Sequence, residues 1–111
     1  KNILNRDWHL ARSKGIDTFA PIGPFLVKDL NCEDLEIKSS INGKITQKSR
    51  TSDRILNDHQ CVELVSKYFT LFPGDIIFSG TPAGATDAVI KPGDEVKIEI
   101  ENIGTINNKV R

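Results

Sequence analysis

The side chains that could do chemistry in this chain are few, and they stand at the edges of short loops. Lys14 is the one cation immediately before the apolar, aromatic stretch Ile16-Asp17-Thr18-Phe19-Ala20-Pro21-Ile22-Gly23-Pro24-Phe25. An ammonium there could neutralise charge on a bound anion, although a lysine is ordinarily solvated and position alone favours that. Thr81 is the single hydroxyl of Gly80-Thr81-Pro82-Ala83-Gly84. Its neighbours have almost no bulk, so a ligand could approach the backbone closely. The loop lacks the Gly-Lys-Ser/Thr ending of a phosphate-binding loop, and its pattern alone suits a plain tight turn equally well. Arg6 and Asp7 adjoin Trp8 and read as a local salt bridge beside a core anchor. Cys32 and Cys61 form no Cys-x-x-Cys pair and have no histidine cluster near them, so they read as free, buried thiols of a reducing compartment.

The elements that must position these residues are mostly strands. Ile76-Ile77-Phe78 is an unbroken apolar run after the turn Pro73-Gly74-Asp75, the pattern of a strand buried on both faces. Asn42-Gly43 lies between the alternating segments Leu35–Ile41 and Lys44–Ser49 and predicts a two-residue hairpin, because both central residues of a type I′ turn need positive φ. Gln47, on the return strand, is expected to be solvated. Cys61, Leu64, Val65, Tyr68 and Phe69 recur at helical spacing, with Asn57 as N-cap and Gln60 three residues later. The longest helix is therefore expected within Asn57–Thr70, with His59 exposed in its first turn.

Pro92-Gly93-Asp94 repeats the earlier turn and feeds Glu95–Glu101, whose charges alternate with β-branched residues, so one face is wet and the other is core. Thr105–Val110 should pair back as the last strand. Two Gly/Pro interruptions between Gly15 and Val27 predict an irregular strand bent near Gly23-Pro24, and Lys1–Trp8 reads as a chain cut from the middle of a strand. Many short strands with one helix and no βα alternation exclude a doubly wound sheet. Residues 1–111 contain no linker or repeat that would split them and are expected to form a single partial domain.

Fifteen basic residues balance fifteen acidic ones, so no field favours nucleic acid or an anionic membrane. No apolar run is long enough to span a bilayer. The chain has no Met and begins at Lys1, which is expected of a processed product or a part of a longer protein.

Arg6-Asp7-Trp8, Lys14 to Pro24, Asn42-Gly43 with Gln47, Pro73-Gly74-Asp75-Ile76-Ile77, Gly80 to Gly84, Pro92-Gly93-Asp94 and Gly104 together resemble the fumarylacetoacetate hydrolase family. Their order and spacing match over essentially the whole chain. The likeness is to the C-terminal part of the catalytic domain, in the branch of bacterial and archaeal 2-oxo acid and acylpyruvate hydrolases and isomerases. It implies a mainly β (α+β) fold, a mixed β-sandwich roll of the fumarylacetoacetase C-terminal-domain type with one main helix. It also implies a cytoplasmic enzyme of aromatic-compound catabolism, a homodimer when full length, acting on a small 2-oxo acid or acylpyruvate.

The same resemblance implies a divalent metal, Mg²⁺ or Mn²⁺ and in some members Ca²⁺, held by a Glu-x-Glu pair and an Asp. Such a metal chelates the substrate carboxylate and adjacent oxygen and stabilises the enolate that leaves when a C–C bond breaks. Carried over by position, Lys14 is the catalytic lysine that faces the metal-bound oxygens, Thr18 stands beside the metal shell, and Thr81 hydrogen-bonds the substrate. His9 takes the place of a substrate-binding Gln. Asn2 stands where the metal-ligating Asp belongs, and a neutral amide is a poorer ligand for a hard dication than a carboxylate. The Glu-x-Glu ligands and a His–Glu pair that activates water precede this region in the family. This chain alone is thus expected to bind metal weakly or not at all and to be inactive. Hydrolysis of an acylpyruvate or fumarylpyruvate-like acid is the leading expectation. Isomerisation or decarboxylation of a 2-hydroxyhepta-2,4-diene-1,7-dioate uses the same enolate without a water nucleophile. A degenerate, non-catalytic binding module is the reading from another class: Asn2 favours it, and Lys14, Thr18 and Thr81 oppose it.

Overall fold

The computed structural model describes residues 14–111. Four strands form one antiparallel sheet: β1 (Glu36–Ile41), β2 (Lys44–Arg50), β3 (Glu95–Ile100) and β4 (Gly104–Lys109), in the spatial order β2-β1-β3-β4. Helix α1 (Asp58–Ser66) lies between β2 and β3 in the chain, after a short 3₁₀ turn at Thr51–Asp53. Strand residues outnumber helical ones among the described residues, and no β and α units alternate.

The hairpin forms where its turn chemistry demands, with Asn42 at φ 50° and Gly43 at φ 79°. Its tip is then clamped to the turn before β3. Asn42 donates from its side chain to Asp94 Oδ1 at 2.8 Å and accepts from the Glu95 amide at 2.9 Å. One residue therefore closes β1–β2 and fixes their register against β3.

Cross-strand partners share a face of the sheet. Ile37, Ser39 and Ile41 oppose Ile100, Ile98 and Val96, and Ile98 opposes Ile106. This row makes the inner face. Phe25 packs near its far end, where a Cβ on Gly104 would come 3.5 Å from the phenyl ring. The other face carries Glu36, Lys38 and Lys48 in one ion cluster, with Lys48 Nζ 2.7 Å from the Glu36 carboxylate.

Only Leu35, just before β1, is buried outright among the described residues, at 5 % exposure. Thr51 secures it: its hydroxyl accepts from the Leu35 amide at 2.8 Å and donates to the Cys32 carbonyl at 2.7 Å. Burying one such leucine contributes about 2 kcal/mol, a thin core for six elements.

Helix α1 has the expected capping box, with Asn57 Oδ1 accepting from the Gln60 amide and Gln60 Oε1 accepting from the Asn57 amide, both at 2.9 Å. It stops at Ser66 rather than running toward Thr70. Beyond Ser66 the Lys67 and Tyr68 amides reach back three residues, to Leu64 and Val65, while the Phe69 amide still reaches back four, to Val65, so the regular α ladder gives way to a mixed turn. Tyr68 and Phe69 then project outward, 76 % and 67 % exposed. His59 is exposed in the first turn, as expected. Cys32 and Cys61 are free thiols, but half-buried rather than buried.

Two predicted strands do not form. Residues 20–28 are irregular, with a bend at Pro24 and no ladder among the described residues. Ile76-Ile77-Phe78 also has no strand partner among the described residues, and Ile76 and Phe78 are 52 % and 65 % exposed. A strand exists only by pairing, and neither edge of this sheet, β2 or β4, forms a ladder with that run. The final strand begins at Gly104 and ends at Lys109, one residue earlier than expected at each end. The strand read into Lys1–Trp8 lies outside the described residues.

Candidate active site

The loop Gly80–Gly84 is built from two glycines in the left-handed region, at φ 101° and φ 99°, around an exposed Thr81. Gly84 is there for space as well as for φ. A Cβ at this position would lie 2.6 Å from the Thr46 carbonyl oxygen, closer than any side chain tolerates. The loop therefore rests directly on the backbone of β2.

What holds it there is Gln47. Its Nε2 donates to Thr81 Oγ1 at 3.0 Å, to the Pro82 carbonyl at 2.7 Å and to the Ala83 carbonyl at 3.3 Å. Its Oε1 accepts from the Ser39 hydroxyl at 3.1 Å, and Ser39 Oγ lies 3.0 Å from Thr46 Oγ1. The carboxamide is thus gripped at both ends, with oxygen toward β1 and nitrogen toward the loop.

The expectation of a solvated Gln47 is corrected by a bulge. A two-residue hairpin without irregularity would set Gln47 opposite Lys38, on the charged face. The register instead shifts between Ser39 and Ser40, so that Ile45 faces Ser40 and Gln47 faces Ser39. Thr46 is the extra residue. One inserted residue turns every later side chain to the opposite face, and Gln47 joins the inner row with Ser39, Ile98 and Ile106. The Asn-Gly turn is visible in sequence; the bulge that re-aims Gln47 is not.

Among the other candidates, Lys14 is the first described residue, helical in backbone and exposed. Thr18 is exposed and sits at φ 71° in the turn Ile16–Phe19, which the Phe19 amide closes onto the Ile16 carbonyl at 3.0 Å. A β-branched residue in that region is strained by about 1–3 kcal/mol, a cost that tends to be kept where it serves a site. No hydrogen bond joins Lys14, Thr18 and Thr81 to one another among the described residues. Asn2 and His9 lie outside the described residues.

The acidic groups near the sheet are structural. Lys38, and then Lys48, hold the Glu36 carboxyl down to about 2. Arg50, followed by the Ser52 hydroxyl, lowers Asp34, and the Asn42 amide and the Lys91 backbone lower Asp94. Glu99 and Glu101 have Glu-x-Glu spacing, but Glu99 lies 3.0 Å from Lys97 Nζ, and Glu101 accepts from the Glu36 amide at 2.9 Å. Among the described residues no three Asp, Glu, His or Cys side chains converge where a metal could be held.

Comparison with known proteins places this arrangement. The sequence profile described as fumarylacetoacetate (FAA) hydrolase C-terminal matches residues 2–111. The crystal structure of 5-carboxymethyl-2-hydroxymuconate delta-isomerase from Mycobacterium smegmatis superimposes with a TM-score of 0.93 at 42 % identity, over 98 % of this chain and 43 % of that one. Maleylpyruvate hydrolase from Sphingobium sp. SYK-6 gives a TM-score of 0.79 at 33 % identity, over 86 % of this chain and 36 % of that one. The mitochondrial oxaloacetate tautomerase FAHD2A of Bos taurus is 39 % identical over 124 aligned positions, covering 98 % of this chain and 40 % of the relative. The antiparallel sheet with helix α1 matches the fold of these neighbours. The chain spans less than half the length of the curated relatives it matches. It belongs to the fumarylacetoacetate hydrolase family and corresponds to that family's C-terminal region.

Proposed function

We propose that the protein carrying this chain acts on 2-oxo acids of the acylpyruvate or fumarylpyruvate kind by stabilising their enolates, and that the residues here form one wall of its active site. The observation that carries this reading is Thr81. Its hydroxyl stands exposed on a loop whose glycines and Gln47 anchor leave it little freedom. In the site, Lys14 neutralises the enolate oxygen as charge develops, and Thr81 donates to a carboxylate or carbonyl oxygen of the bound acid. The family generally depends on a divalent metal. The described residues do not build such a shell, and a Mg²⁺ or Mn²⁺ ion would need ligands from elsewhere. The functional unit is a homodimer at full length.

Hydrolytic C–C cleavage, as named for the Sphingobium relative, is one outcome of an enolate. Isomerisation or tautomerisation is the second reading. It is favoured by the 0.93 TM-score to an isomerase and by the bovine tautomerase. Both outcomes use the same charge stabilisation and differ in whether water attacks.

The test is made in a protein of the relatives' full length carrying this chain, with acetylpyruvate hydrolysis and oxaloacetate tautomerisation as assays. Lys14→Ala should lower kcat by about a hundredfold or more, since it removes a group matched to transition-state charge. Thr81→Ala should mainly raise KM, because its contact exists in the ground state too. A Lys14→Ala enzyme with unchanged kcat on both substrates would overturn the assignment.

A further inference from the structure

Thr81 has one hydroxyl proton, and what it does depends on the partner of its oxygen. Gln47 Nε2 is that partner, at 3.0 Å, and an amide nitrogen can only donate. The carboxamide cannot be turned over. Rotation would set its oxygen against the Pro82 and Ala83 carbonyl oxygens, now 2.7 and 3.3 Å from the nitrogen, and neither carbonyl can donate to it. Thr81 Oγ1 is therefore an acceptor toward the protein, and its proton is left to point outward. Without Gln47 the hydroxyl could rotate, and its proton could be spent on a nearby backbone carbonyl.

We infer that Gln47 is a positioning residue of the active site: it fixes the polarity of the Thr81 hydroxyl so that Thr81 meets the substrate as a hydrogen-bond donor and selects an anionic or carbonyl oxygen. The inference rests on the reading of Thr81 as a substrate contact. Ser39 and the Thr46 bulge belong to the same device, because they set the carboxamide on the inner face with its nitrogen toward the loop. Such a device suits a ligand rich in carboxylate and enolate oxygens. It disfavours one that presents a donor-only group such as an ammonium at this position.

Two variants separate polarity from shape, again in the full-length protein with acetylpyruvate and oxaloacetate as probes and with thermal unfolding measured alongside. Gln47→Glu is isosteric but sets an acceptor against Thr81 and against the Pro82 and Ala83 carbonyls, so Thr81 must turn its proton inward and the loop loses its anchor. KM should rise about tenfold, the worth of one hydrogen bond, while kcat changes by less than about threefold. Gln47→Ala should raise KM similarly, and in a Thr81→Ala background either change should add little.

If Thr81→Ala raises KM but Gln47→Glu does not, or if Gln47→Ala costs as much with Thr81 absent as with it present, the positioning role is overturned while the site assignment stands. If Thr81→Ala itself leaves KM unchanged, the site assignment fails and this inference with it. Should Gln47→Ala fail to fold, the isosteric Gln47→Glu and its double variant decide.

Discussion

The chain uses one turn twice, with different results. At Phe72-Pro73-Gly74-Asp75 the Asp75 amide donates to the Phe72 carbonyl at 3.0 Å, the Asp75 carboxylate accepts from the Phe72 amide at 2.8 Å, and Gly74 takes φ 100°. At Lys91-Pro92-Gly93-Asp94 the same bonds measure 3.1 and 2.8 Å, and Gly93 takes φ 92°. Both turns deliver the chain into a segment rich in β-branched residues. The second run becomes β3, flanked by β1 and β4; the first, Ile76-Ile77-Phe78, pairs with nothing among the described residues. Turn geometry is local and follows from Pro, Gly and Asp wherever they occur. A strand is a property of two segments, and apolar character supplies only one of them.

Hydrogen exchange distinguishes the two runs. If Ile76-Ile77-Phe78 is a strand awaiting a partner, its amides should exchange near the unprotected rate in the 111-residue chain alone. In a protein of the relatives' full length they should slow by about a hundredfold or more. The amides of Val96–Ile100 should differ far less between the two samples. Fast exchange of Ile77 in the full-length protein would show that the run is a loop in its own right.

A smaller effect sharpens the same contrast. Asp75 and Asp94 close equivalent turns, but only Asp94 also receives the Asn42 side chain, at 2.8 Å. Asp75→Ala should cost about 0.5–1.5 kcal/mol of stability, one local hydrogen bond. Asp94→Ala should cost about 1 kcal/mol more, since it frees the hairpin tip as well, and the extra loss should vanish in an Asn42→Gly background. Denaturant melts of the wild type, Asp75→Ala, Asp94→Ala, Asn42→Gly and the Asn42→Gly/Asp94→Ala double variant measure this. Equal losses for the two aspartates would mean that the clamp adds nothing.

Legibility in the sequence divides along the same line. Asn42-Gly43, the two Pro-Gly-Asp turns and the Asn57/Gln60 capping box were readable because each is satisfied within four residues of itself. The end of α1 was not, because Tyr68 and Phe69 keep the helical spacing after the regular α ladder has given way. The bulge at Thr46 carries no distinctive residue, yet it decides that Gln47 serves the loop rather than the solvent. Gly80–Gly84 was legible as a place where little bulk is allowed. That it is pressed against the Thr46 carbonyl requires the fold.

The smallest expected effect lies on the outer face, where the sheet is held by charge rather than by apolar contact. Glu36 sits between Lys38 and Lys48, and these ammonium groups depress its carboxyl from an ordinary 4.5 to about 2. A carboxyl depressed on folding contributes stability that is fully present above its unfolded value and is lost as pH falls through its folded one. The contribution should therefore be constant above about pH 5 and fade between there and pH 2. Asp34, Asp53 and Asp94 are also lowered by their partners, so wild-type acid unfolding mixes several carboxylates. The difference in Tm between wild type and Glu36→Gln isolates this one. It should be positive at pH 6, shrink toward zero by pH 2, and be reduced at pH 6 by about 1 M salt, because Lys48 is largely open to solvent and screening acts on exposed pairs. A Tm difference that stays constant from pH 6 to pH 2 would assign the loss in Glu36→Gln to packing on β1 instead of to charge.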